Sequence, residues 1–155
     1  MSAANLNERK RELIEKIGVF HEKFGFQPVA ARIYGLLLVS DKSELTFDEI
    51  REELQVSKSA VSTALNLLLT MKQIDYITKP GERKRYFRSN LCKWQSFLGS
   101  LMEIATNYAA LFKEVKEVRN NDASEMNQYI NEITSFIDYI TNSFPKIITD
   151  WAKSD

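Results

Sequence analysis

A chain of 155 residues with 44% apolar and 11% aromatic side chains can pack a core and is not a disordered segment. Its 21 Lys and Arg balance 21 Asp and Glu, so the formal charge is zero. One cysteine, Cys92, and one histidine, His21, exclude an internal disulfide framework and a metal-ligand cluster.

The lone thiol suits a reducing, intracellular setting. The N-terminal stretch MSAANLNERKRELIEK lacks the apolar run of a secretion signal. The longest apolar run, IYGLLLV at 33–39, is too short to span a bilayer. A soluble, cytoplasmic protein with no membrane contact is expected. Gly18, Gly25, Gly35, Gly81 and Gly99 are scattered, so no phosphate-cradling loop is present. His21 and Cys92 both fall in helical patterns and are read as packing residues. Neither an enzyme nor a cofactor is expected.

Residues 6–24 carry Leu13, Ile17, Phe20 and Phe24 at helical spacing, and Gly25 ends that helix plausibly. Pro28 suits the first turn of a second helix through Ser40. DKSEL reads as a polar connection, and Thr46-x-x-Glu49 has capping-box spacing for a short helix to Leu54. Three residues later Ser57 can cap another helix to Met71 or Lys72. Two β-prone runs then flank Pro80-Gly81 in IDYITKPGERKRYFR, which reads as a hairpin with Pro at the second turn position and Gly where φ must be positive. Helix, three-residue turn, helix and hairpin make a winged helix-turn-helix.

The helix from Ser57 decides what the hairpin is for. Advancing 100° per residue, Val61, Ala64, Leu65, Leu68 and Leu69 form one buried stripe. The opposite side holds Ser59, Ser62, Thr63, Asn66, Thr70 and Gln73, all polar and none charged. An ordinary solvated face would carry Lys and Glu, which form helices better than Ser, Thr or Asn. Short uncharged donors and acceptors instead suit base edges in a major groove. Residues 57–88 hold seven bases (Lys58, Lys72, Lys79, Arg83, Lys84, Arg85, Arg88) against two acids (Asp75, Glu82). That surplus of +5 leaves −5 on the rest of the chain. Local positive charge is what phosphate binding requires. The reading therefore assigns bases to Ser59, Ser62, Thr63 and Asn66, and phosphates to Lys58, Lys79, Lys84 and Arg85. It gives Arg83 to the minor groove, where narrow A·T tracts attract arginine, while Ser57 caps the helix and offers its amide to a phosphate.

PVAARIYGLLLVSD, LTFDEIREELQVSKSAVSTALNLL and KPGERKRYF together resemble the GbsR group of MarR-like transcriptional regulators. The resemblance spans roughly 25–88 and continues loosely through the helical tail. It implies a homodimer whose second helix-turn-helix helix enters the major groove. It also implies a repressor, answering in some relatives to choline-type or osmotic signals. Two positions depart from the group. Ala60 stands where relatives often have Gly, and Asn66 where an Arg commonly follows the Leu. Asn suits adenine, so the operator cannot be carried over.

In the tail, Trp94, Phe97, Leu101, Ile104, Tyr108, Leu111, Val115 and Val118 alternate spacings of three and four. After the polar run RNNDAS, Met126, Ile130, Ile133, Ile137, Ile140, Phe144, Ile147 and Trp151 do the same. Each is a coiled-coil-like seam, and Pro145 is expected to kink or restart the second helix. A second stripe, Leu98, Met102, Ala105, Ala109 and Phe112, widens the first helix's apolar face. A reading domain does not need this tail in order to fold, whereas a two-fold dimer sets two reading helices one DNA turn apart, about 34–36 Å. Phe20, Phe24, Phe26, Tyr34, Trp94, Phe97 and Tyr108 could line a cation–π cage, but a plain aromatic core explains them as well, and no effector ligand is named.

The expected fold is mainly α with a small β-hairpin wing: a winged helix-turn-helix with long N- and C-terminal dimerisation helices. The expected divisions are 1–26, 27–90 and 91–155. The expected function is a dimeric regulator, a repressor of an A·T-biased pseudo-palindrome, whose partners are double-stranded DNA and a second copy of itself. The alternative is a winged-helix interaction module whose basic wing meets an acidic protein.

Overall fold

The computed structural model describes residues 6–119 and 124–154. The chain divides into two units, Met1–Cys92 and Lys93–Asp155. In the first, the Asn7 side chain accepts the Lys10 amide and opens α1, Glu8–Glu22. Gly25 sits at φ +85 and lets the Phe26 amide turn back to the His21 carbonyl. Pro28 then starts α2, Pro28–Val39, from the first turn, where its missing N–H costs nothing. Thr46 and Glu49 cap each other at the start of α3, Phe47–Leu54. Ser57 accepts the Ala60 amide at 3.2 Å and opens α4, Lys58–Thr70. The three-residue turn between α3 and α4 holds Gln55 in the left-handed region, at φ +54.

The hairpin forms around Pro80-Gly81 as the two β-prone runs predict, with β2 at Ile74–Thr78 and β3 at Arg85–Ser89. One strand was not foreseen. Leu45 and Thr46 form β1, antiparallel to β3 opposite Phe87 and Tyr86, so the sheet order is β1-β3-β2. DKSEL is thus a connection that ends in a strand. A two-residue strand has no alternation to read, and its partner lies beyond α3 and α4. The core gathers where these elements meet: Ile33, Leu36, Leu45, Ile50, Val61, Leu68 and Ile74 are all but fully buried. His21 packs as expected, with its Nδ1 donating to the Ile17 carbonyl at 2.8 Å and its ring beside Phe26 and Tyr34. Cys92 does not: it is exposed, in a short 3₁₀ turn at Leu91–Lys93.

The second unit is a pair of helices, α5 at Trp94–Glu117 and α6 at Glu125–Ala152. The expected polar connection between them lies largely outside the described residues, although Ser124 caps α6 through the Asn127 amide. No restart occurs at Pro145, because α6 runs through it unbroken. The two stripes of α5 have opposite fates. Leu98, Met102, Ala105, Ala109 and Phe112 are covered, and Ala109 is buried. The three-four seam faces outward beyond its first member: Trp94 is half-buried, while Phe97, Leu101, Ile104, Tyr108, Leu111, Val115 and Val118 are all exposed. Of the aromatics grouped by sequence, Trp94 meets Trp151, Tyr108 meets Phe112, and Phe20 lies tilted against Phe24 with both exposed. Phe20 and Phe24 are therefore not core residues of this chain.

Candidate nucleic-acid interface

Helix α4 has two distinct faces. Val61, Ala64, Leu65 and Leu68 are buried, while Ser59, Ser62, Thr63, Asn66 and Thr70 are exposed. Leu69, counted in the buried stripe, is only half-buried, and Gln73 lies past the helix end with its carbonyl bound to the Asn90 amide. Gln73 therefore leaves the polar face. Thr70 turns its hydroxyl back to the Asn66 carbonyl, which leaves Ser59, Ser62, Thr63 and Asn66 as the outward row. Ser57 and Ser59 hydroxyls lie 3.2 Å apart at the helix start. Lys58 is exposed beside them and makes no ion pair among the described residues.

The wing turn is Lys79-Pro80-Gly81-Glu82, closed by the Glu82 amide donating to the Lys79 carbonyl at 3.1 Å. Gly81 takes φ +79, which the turn requires and which only glycine adopts without strain. The basic side chains differ in their engagements. The Lys79 ammonium lies 2.6 Å from the Glu44 carboxylate and 4.0 Å from the centroid of the Tyr86 ring. Its hydrogen bond to Glu44 holds its pKa above the ordinary lysine range. The Tyr86 hydroxyl donates to Glu82, which pushes the phenol's pKa up as well. Arg88 is 4.0 Å from Asp75, and Arg85 lies over the Tyr76 ring at 4.6 Å. Arg83 and Lys84 are exposed and without an ion pair among the described residues.

Between α4 and the wing runs a groove of about 280 Å³ lined by Ser62, Asn66, Arg83, Lys84 and Arg85, with Leu65, Leu69 and Phe87 as its floor and Thr46, Phe47 and Asp48 on its third side. Two of the four outward α4 residues thus share a cleft with three wing cations. The other two face shallower clefts. Ser59 lies with Phe47, Ser57, Lys58 and Ser62, while Ser59 and Thr63 lie with Gln27, Pro28 and Val29. Lys79 lines none of these three. Phe47, Asp48 and Gln27 escaped sequence reading. Their only local signal was position at a helix start, and their meeting with α4 is made by the fold.

No family model matches the chain. A solved structure described as a transcriptional regulator superposes with a TM-score of 0.76 over 94% of this chain and 99% of its own, at 20% identity. The winged helix-turn-helix and helical tail of this chain are therefore a known fold. In sequence, the HTH-type transcriptional repressor GbsR of Bacillus subtilis is 33% identical over 81 residues, which is 52% of this chain and 44% of that protein. The HTH-type transcriptional regulator MmpR5 of Mycobacterium tuberculosis is 30% identical over 77 residues, 50% of this chain and 47% of that protein. Over that half, the chain is similar to HTH-type transcriptional regulators. It matches about half the length of these curated relatives.

Ala60 is half-buried at the start of α4, and Asn66 lines the groove beside the wing cations. Among the described residues there is no group of His, Cys, Asp and Glu that could hold a metal ion. No described helix is long and apolar enough to cross a membrane.

Proposed function

We propose that this protein is a dimeric, sequence-specific DNA-binding repressor of transcription. Helix α4 lies in the major groove of an A·T-biased pseudo-palindrome, and the 76–88 wing lies on the backbone and minor groove. The observation that carries this reading is the cleft in which Ser62 and Asn66 share walls with Arg83, Lys84 and Arg85. Uncharged hydrogen-bonding groups read base edges while adjacent cations hold the phosphates that flank them. Ser59, Ser62, Thr63 and Asn66 contact bases. Lys58, Lys84 and Arg85 contact phosphates, Arg83 enters the minor groove, and the Ser57 amide meets a phosphate at the helix start. The outward seam of α5, a row of exposed apolar side chains on a helix that already has a partner in α6, supports the homodimer. The relatives' names, one a repressor and one a regulator, agree with the direction of this reading. An effector is left unnamed.

The test is selection from random duplexes at about 150 mM salt, followed by titration of the winning site across salt concentrations. A two-fold symmetric motif with half-sites about 10 bp apart is expected. Asn66→Ala costs about 1–3 kcal/mol on that site alone, whereas Arg83→Ala lowers affinity and flattens the salt dependence. Retention without a motif, unchanged by Asn66→Ala, would reduce the function to backbone binding and turn the search toward an acidic protein partner.

A further inference from the structure

Lys79 sits at the tip of a cationic wing, yet the fold spends its charge internally. Glu44, the residue before β1, reaches its ammonium at 2.6 Å, with the lysine side chain 43% and the glutamate 19% exposed. The same ammonium stands over the Tyr86 ring, the Tyr86 hydroxyl binds Glu82, and the Glu82 amide returns to the Lys79 carbonyl. Tyr86 is itself held in the sheet, opposite Thr46 of β1 and Ile77 of β2. The circuit therefore links the α2–β1 connection to both sides of the wing turn. Arg83 and Lys84, which make no ion pair among the described residues, follow the turn directly and project from whatever pose it holds.

We propose that Glu44, Lys79, Tyr86 and Glu82 form a clasp that fixes the pose of the wing, so that Glu44 and Lys79 are positioning residues for DNA binding rather than DNA contacts. This rests on the proposed DNA-binding function and revises the role that sequence alone gave Lys79. Its consequence runs against simple electrostatics. Removing an acid from a DNA-binding surface should strengthen phosphate attraction. Here removing Glu44 weakens binding, because Arg83 and Lys84 lose their fixed placement.

The experiment compares wild type, Glu44→Gln, Lys79→Met and the double variant on the selected duplex across salt concentrations, with amide exchange at Glu82 measured in DNA-free protein. An exposed pair is worth at most about 1 kcal/mol, so each single variant is expected to lose about twofold to fivefold in affinity. The salt slope stays at the wild-type value, the double variant is no worse than either single one, and the Glu82 amide exchanges faster in all three. Tighter binding by Glu44→Gln, a slope reduced by about 0.9 in Lys79→Met, additive losses, or unchanged exchange at Glu82 would each overturn the clasp. A wild type that selects no motif fails the DNA-binding reading instead, and the exchange measurement then still decides whether the clasp exists.

Discussion

Glu49 joins two jobs in one carboxylate. One oxygen accepts the Thr46 amide at 2.7 Å and the Thr46 hydroxyl at 2.9 Å, and the other accepts the Lys42 ammonium at 2.6 Å. Burial alone would push its pKa up, but the Lys42 ammonium and the Thr46 donors outweigh burial and hold it below the ordinary value. A depressed carboxylate contributes stability that is fully present above the unfolded value, about 4.3, and is lost as pH falls through the folded one. Glu49→Gln is therefore expected to cost about 1 kcal/mol at pH 7 through the weakened cap. The gap to wild type should narrow toward pH 3, as pH falls through the lowered folded value and Glu49 takes up a proton. Urea midpoints at the two pH values measure it, and a gap that persists at pH 3 would mean that the shape of the glutamate, not its charge, does the capping. This cap was legible in the sequence because its partners are three residues apart. So were the Ser57 cap and the positive φ of Gly81. The Lys79–Glu44 pair was not, because its two residues are brought together only after α3 and α4 have folded between them.

Helices α1 and α2 cross closely because two glycines leave room. A Cβ on Gly35 would lie 3.3 Å from both the Ile14 carbonyl oxygen and the Ile17 Cγ2, and one on Gly18 would lie 3.1 Å from the Arg32 Cγ. The crossing is then fastened by Arg32, which binds Glu15 at 2.9 Å and Glu22 at 2.5 Å. These carboxylates raise the guanidinium's already high pKa. Because the nearest obstacle at Gly35 is backbone and α1 is ionically anchored, the helix cannot simply slide away. Gly35→Val should lose about 2 kcal/mol or more, read as a lower urea midpoint at unchanged slope. A neutral result would show that α1 re-seats freely on α2. At this scale the sequence specified the helices but not their faces. Both stripes of α5 are apolar, and periodicity cannot say which one meets α6. Packing chooses the stripe with Ala105 and Ala109, since small side chains let two helix backbones approach. Pro145 misled for the opposite reason. Its ring removes one hydrogen bond, yet α6 continues on both sides of it, with the Thr141 hydroxyl bound to the Ile137 carbonyl one turn before and the Thr149 hydroxyl to the Pro145 carbonyl one turn after.

The molecule carries a net positive charge on the 57–88 segment and a row of uncovered apolar side chains along α5. A neutral chain with a cationic reading surface gains from doubling, because two copies add their phosphate contacts and so multiply their affinities. The salt slope of a dimer on a full site is about twice that of one subunit on a half-site. Ile104 and Leu111, 62% and 55% exposed, lie far enough from the α5–α6 contact that lysine there leaves the helix pair intact. Burying each in a dimer would contribute about 1.5–3 kcal/mol. The double substitution Ile104→Lys with Leu111→Lys should therefore weaken self-association by at least about 100-fold, seen as a shift to monomer in sedimentation velocity with the circular dichroism of the wild type. On the selected duplex the same variant should bind with about half the salt slope and no preference for a full site over a half-site. A variant that remains dimeric would move the interface off this seam. One that is monomeric yet still distinguishes the paired half-sites would show that DNA, rather than the helical tail, brings the two reading heads together.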